Sequence, residues 1–160
     1  MATRRVAAMM EDHMLDRLFT KFRDGKDDAT GDDGKALPRA VAALLVEAAA
    51  ADDDYTAEER RLIISLLGER FSLPPEETEA LLVEAETAQA EANDLYGFSR
   101  VVKDELAFDE KMKLVEDMWR VVLSDDERDP HEEMIIRRLV GLIHLEDRDS
   151  TEARRRAEIA

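Results

Sequence analysis

An internal repeat limits what this chain can fold into more than any other feature. At an offset of 73 residues Asp52 falls on Asp125, Asp53 on Asp126, Asp54 on Glu127 and Glu59 on Glu132. The apolar positions that follow keep the same register. Leu62 falls on Ile135, Ile63 on Ile136, Leu66 on Leu139, Leu67 on Val140, and Gly68 on Gly141. The preceding stretches align too: Val41 with Leu114, Leu45 with Met118, Val46 with Trp119 and Ala49 with Val122. Apolar residues three and four apart on both sides of an acidic stretch read as helix, acidic turn, helix. One such pair cannot bury both its apolar faces, so two pairs must pack together. The expected fold is therefore all-α: a compact helical bundle of two pseudo-repeated helix–acidic turn–helix units plus connecting helices.

Composition agrees. At 160 residues and 44% hydrophobic content the chain can bury a sizeable core, and with only 5% aromatics that core must be aliphatic. Further helical stripes fill the gaps between the repeats. Pro75 can open a helix carrying Leu81, Leu82 and Ala85, and Leu95, Phe98, Val101, Val102 and Leu106 share another face. Residues 1–36 differ from the rest. Leu15, Leu18, Phe19 and Phe22 form an amphipathic stripe, and GKDDATGDDGK at 25–35 reads as a flexible acidic linker. Met14 is a second candidate start beside Met1. The expected division is an N-terminal segment and linker at 1–36, a helical domain at 37–150 and a charged tail at 151–160, with Ser150 as the cap of that tail.

Charge narrows the partners. A formal net charge of -16 argues against nucleic acid, whose phosphates demand clustered Lys and Arg. It suits cations or a basic protein partner. With no cysteine there is no disulfide frame and no thiolate nucleophile or ligand. No apolar run approaches the roughly 20 residues that span a bilayer. The expected location is the cytoplasm. Arg17, Lys21 and Arg23 beside the N-terminal stripe leave peripheral contact with the inner membrane surface through residues 14–23 as a further reading. No nucleophile elbow or Gly-rich phosphate loop is present, so no enzyme activity and no catalytic residue is expected.

The stretches VEAAAADDDYTAEERRLI (46–63) and MWRVVLSDDERDPHEEMIIRRLVGLIHL (118–145) resemble the TerB-like family of tellurite-resistance proteins, which includes the N-terminal domain of the co-chaperone DjlA. The opening MLDRLFTKF is similar to the start of many members. The resemblance spans residues 14–150. It implies an all-helical bundle with two acidic turns, a link to stress response, no known enzyme activity, and metal-ion binding at the turns. In that family Gly commonly follows the first Asp of each turn; Asp53 and Asp126 stand there in this chain and add two carboxylates.

Physical chemistry divides the acidic residues into two sets. Thr56-Ala-Glu-Glu59 fits a capping box, and Asp129-Pro130-His131-Glu132 fits the same plan with Pro at the first helical position. Capping and the helix dipole account for acids inside the first turn. They do not account for Asp52, Asp53, Asp54, Asp125, Asp126 and Glu127, which precede the caps and repel one another. One explanation is a solvated acidic turn. The other is a hard divalent cation, Ca²⁺ or Mg²⁺, which needs several oxygen ligands. The candidate ligands are Asp52, Asp54, Glu59, Asp125, Glu127 and Glu132. The spacing from Asp52 to Glu59 resembles the latter half of an EF-hand loop, without its early ligands. His131 lies beside them, and Trp119 is expected in the core. The chain thus reads as a cation-binding stress-response module. The alternative is a metal-free adaptor or co-chaperone-like domain that meets its protein partner through the acidic face.

Overall fold

The computed structural model describes residues 34–51, 54–91, 96–124 and 130–159. Among the described residues every regular element is an α-helix, as the sequence predicts: α1 (Ala36–Ala49), α2 (Ala57–Phe71), α3 (Pro75–Glu91), α4 (Tyr96–Glu105), α5 (Phe108–Val122), α6 (Pro130–Leu142) and α7 (Asp147–Ile159).

Helix α1 is apolar nearly all round. Ala40 through Val46 are all buried, as are Ala48 and Ala49. A helix without a polar face has to sit inside the bundle. Its few polar residues reach outward to α3, Arg39 to Glu84 at 3.2 Å and Glu47 to the Gln89 amide at 2.8 Å. Helix α2 buries Ile63, Leu66 and Leu67 and packs on α3 and α5. Helix α3 begins at Pro75, whose missing N–H costs nothing at a first helical position, and buries Leu81, Leu82 and Ala85. Helix α4 packs on α6.

Helix α5 organises the second half. It buries Met112, Leu114, Val115, Met118, Trp119, Val121 and Val122, and it packs against α2, α6 and, most extensively, α7. Fully burying side chains of this size is worth about 1.5–3 kcal/mol each. Trp119 is a core residue, 6% exposed, as expected. Its indole N–H donates to Ser150 Oγ at 3.1 Å, and the Arg154 guanidinium lies 4.7 Å above its ring.

The C-terminal stretch differs from the expectation. Ser150 does not cap a short tail; it lies inside α7, which starts at Asp147. The cap is made earlier, where the Glu146 N–H donates to the Asp149 carboxylate at 2.8 Å. Ala153 is fully buried, so α7 approaches the core through its smallest side chain.

Candidate functional site

The first acidic turn ends in a complete capping box. Thr56 is extended (φ -89°, ψ 162°) and its hydroxyl accepts the Glu59 N–H at 3.0 Å. Glu59 Oε1 in turn accepts the Thr56 N–H at 2.8 Å. Both contacts were legible in Thr-Ala-Glu-Glu. Beside the box, the Tyr55 hydroxyl donates to Glu86 Oε2 at 2.6 Å, and Arg60 holds the same carboxylate at 2.7 Å and Glu79 at 2.9 Å. This cluster pins the start of α2 to α3. Burial, and then the hydrogen bond to Glu86, push the Tyr55 hydroxyl well above its ordinary value. The bonds to Glu86 and Glu79 raise Arg60 further.

The second turn leads into α6 with Pro130 as its first residue, as the sequence predicts, and Glu132 as its third. His131 is exposed there. On the upstream side the Ser124 hydroxyl donates to the Val121 carbonyl at 2.7 Å and closes the end of α5.

What sets the two turns apart is the burial of their glutamates. Glu59 and Glu132 are both 0% exposed. Helix capping does not require this. Glu110, third residue of α5, accepts the Ala107 N–H at 3.1 Å from a solvent-exposed position. The same bond is thus made at the surface elsewhere in the molecule. An ionised carboxylate is taken out of water at a cost that only hydrogen-bond donors or a cation offset.

Of the six candidate ligands, Asp54, Glu59 and Glu132 are described, with Asp54 exposed. Asp52, Asp125 and Glu127 lie outside the described residues, as do Asp53, Asp126 and Asp129. Among the described residues no three His, Asp or Glu side chains form a group that could hold a metal ion. No described helix is long and apolar enough to cross a membrane. The N-terminal stripe at 14–23 falls outside the described residues.

A second polar feature was not anticipated from the sequence. Asp117 on α5 is 1% exposed and accepts a hydrogen bond from Arg70 on α2 at 2.8 Å. Lys113 and Arg120 approach its other oxygen at 3.6 and 3.9 Å. The repeat held a signal for this. At the 73-residue offset Asp117 corresponds to Leu44 and Arg70 to Ile143, and both of those are fully buried.

The family model described as "Tellurite resistance protein TerB" matches residues 38–155, which is most of the chain. No curated protein and no solved structure matches it.

Proposed function

This chain belongs to the tellurite resistance protein TerB family, and from that premise we propose that it is a non-enzymatic module that binds a divalent cation through its two acidic turns. The ligands would be Asp52, Asp54 and Glu59 from one turn and Asp125, Glu127 and Glu132 from the other. Ca²⁺ or Mg²⁺ suits an all-oxygen donor set of this kind. The cation state would then tune contact with a protein partner in a stress response.

The observation that supports this reading is the burial of Glu59 and Glu132, set against the exposed Glu110. Glu110 shows that a glutamate at this helix position can stay in water, so burying the other two carries a desolvation cost that donors or a cation must offset. The same offset of 73 residues places Asp52 and Asp125, and Asp54 and Glu127, just ahead of the two glutamates.

Thermal unfolding tests the proposal. A ligand that binds only the native state must raise its stability. Melting is measured in EDTA and then in Ca²⁺, Mg²⁺, Mn²⁺ and Zn²⁺ against matched ionic strength. A cation-specific rise of several degrees is expected, lost in Asp52→Asn plus Asp125→Asn. No shift beyond the salt control sinks the proposal and favours the second reading. In that reading the domain is a metal-free adaptor whose acidic face meets a basic partner directly, for which the net charge of -16 speaks.

A further inference from the structure

Two exposed helix faces of this chain complement each other in charge and shape. The exposed residues of α6 are Pro130, His131, Met134, Arg137, Arg138 and Gly141, with no carboxylate among them. Its two acids are used elsewhere: Glu132 is buried, and Glu133 meets Arg154 of α7 at 3.6 Å. In a chain of 39 acidic and 23 basic residues such a face stands apart. Met134, 66% exposed, lies in one row with Pro130 and Gly141. At about 3.6 residues per turn, Arg137 and Arg138 fall on opposite sides of that row. Neither arginine makes a hydrogen bond or ion pair among the described residues. A side chain at Gly141 would meet nothing within 4 Å, so the row is open at its far end.

Helix α3 is the counterpart. It carries Glu76, Glu77, Glu79, Glu84, Glu86 and Glu91 and no basic residue. Its exposed row is Ala80, Val83, Thr87 and Ala90, with Val83 47% exposed. Glu79 and Glu86 fall on one side of this row, and Glu84 and Glu91 on the other. Arg60 and Arg39 pair with Glu79 and Glu84 but leave both about half exposed.

A lone apolar side chain on a surface is ordinary. Here two of them occupy the centres of helix faces of opposite sign. One face is an apolar row flanked by arginines, the other an apolar row flanked by glutamates. Methionine adapts its shape to the surface it meets, and guanidinium–carboxylate pairs fix orientation. We infer that α6 of one copy of this chain docks on α3 of a second copy, with Met134 against Val83 and Arg137 and Arg138 among the flanking glutamates. Unlike faces can close as a two-fold dimer or continue head to tail, and either raises the mass in solution. Helices of 13 and 17 residues make a small contact, so the association is weak and reversible. The net charge of -16 repels whole copies. At about 0.15 M salt that long-range repulsion is screened beyond roughly 8 Å, while groups in contact still attract.

The test is sedimentation equilibrium of the full chain at that salt, in EDTA so that no cation bridges acidic groups. Average mass should climb above the monomer between about 10 µM and 1 mM. Backbone amides that shift on NMR dilution should lie on α3 and α6. Arg137→Glu with Arg138→Glu, both exposed, should weaken association by at least about tenfold. Glu79→Lys with Glu84→Lys should do the same, and thermal melting checks that each variant stays folded, since surface ion pairs contribute little. Mixing the two folded variants should restore association, because each then presents what the other lacks. A natural chain that stays monomeric overturns the inference and leaves the α6 face to a partner of another sequence. Dilution shifts away from α3 and α6, unchanged association in the arginine variant, or a mixture that stays monomeric would each overturn it too.

Discussion

The two helix–turn–helix halves of this molecule agree at one pair of positions and part at another. Glu59 and Glu132 stand 73 residues apart, each the third residue of its helix, and both are fully buried. Leu44 and Asp117 stand at the same offset, and both are buried too, but one is a hydrocarbon and the other a carboxylate held by Arg70. The agreement lies at the helix starts that follow the acidic turns. The departure lies where α2 meets α5. The common feature belongs to both helix starts, whereas the departure belongs to one contact surface.

The largest effects should come from unpairing that contact. Asp117→Ala leaves Arg70 without its acceptor and should cost about 3–5 kcal/mol in chemical denaturation. Copying the other half instead, with Asp117→Leu together with Arg70→Ile, should be neutral or stabilising by about 1–4 kcal/mol. A double variant as unstable as the single would mean that the ion pair itself holds α2 to α5, and the comparison with Leu44 and Ile143 would break. Core truncations sharpen the same comparison. Leu45→Ala and Met118→Ala, which share the offset, should each cost about 2–5 kcal/mol. A large disparity would show that the two halves close around the cavity to different extents.

Smaller effects belong to the turns. Thr56→Ala removes the hydroxyl that accepts the Glu59 N–H, and a loss of about 1 kcal/mol is expected from denaturant midpoints. Tyr55→Phe should cost about 1 kcal/mol at neutral pH through its lost bond to Glu86. It should also alter the alkaline limb. The Tyr55 hydroxyl is raised above its ordinary value in the folded chain, so its contribution is complete below about pH 10 and fades as pH climbs past that point. Stability measured from pH 9 upward should therefore fall less steeply in the phenylalanine variant than in the natural chain. Parallel curves would remove Tyr55 from the account.

Much of this was legible in the sequence, for identifiable reasons. The apolar stripes of α1, α2, α5 and α6 show because helical spacing concentrates their buried residues on definable faces. The Thr56–Glu59 box and Pro130 show because capping and first-turn chemistry are local. Helix α7 reads as a tail in the sequence because its contact with α5 rests on little hydrocarbon. Ala153, the Ser150 hydroxyl and Arg154 over Trp119 leave no apolar stripe to read. Asp117 does not stand out in the sequence because an aspartate on a helix reads as solvated unless its partner is known, and Arg70 lies 47 residues away. Its alignment with Leu44 was the available clue. Burial of Glu59 and Glu132 does not show in the sequence either, since Glu110, likewise third in its helix, is exposed.

The most direct measurement is a calorimetric titration of metal-stripped protein with Ca²⁺ and with Mg²⁺, comparing the natural chain with Glu59→Gln and Glu132→Gln. Glutamine serves the Thr56–Glu59 capping box as well as glutamate does, and each variant removes one carboxylate while keeping the side chain's size. Saturable binding in the natural chain, weakened by at least about tenfold in both variants with melting in EDTA little changed, is the predicted result. Absence of binding in the natural chain, or variants that bind as tightly as it does, would contradict the assignment of the buried glutamates as cation ligands.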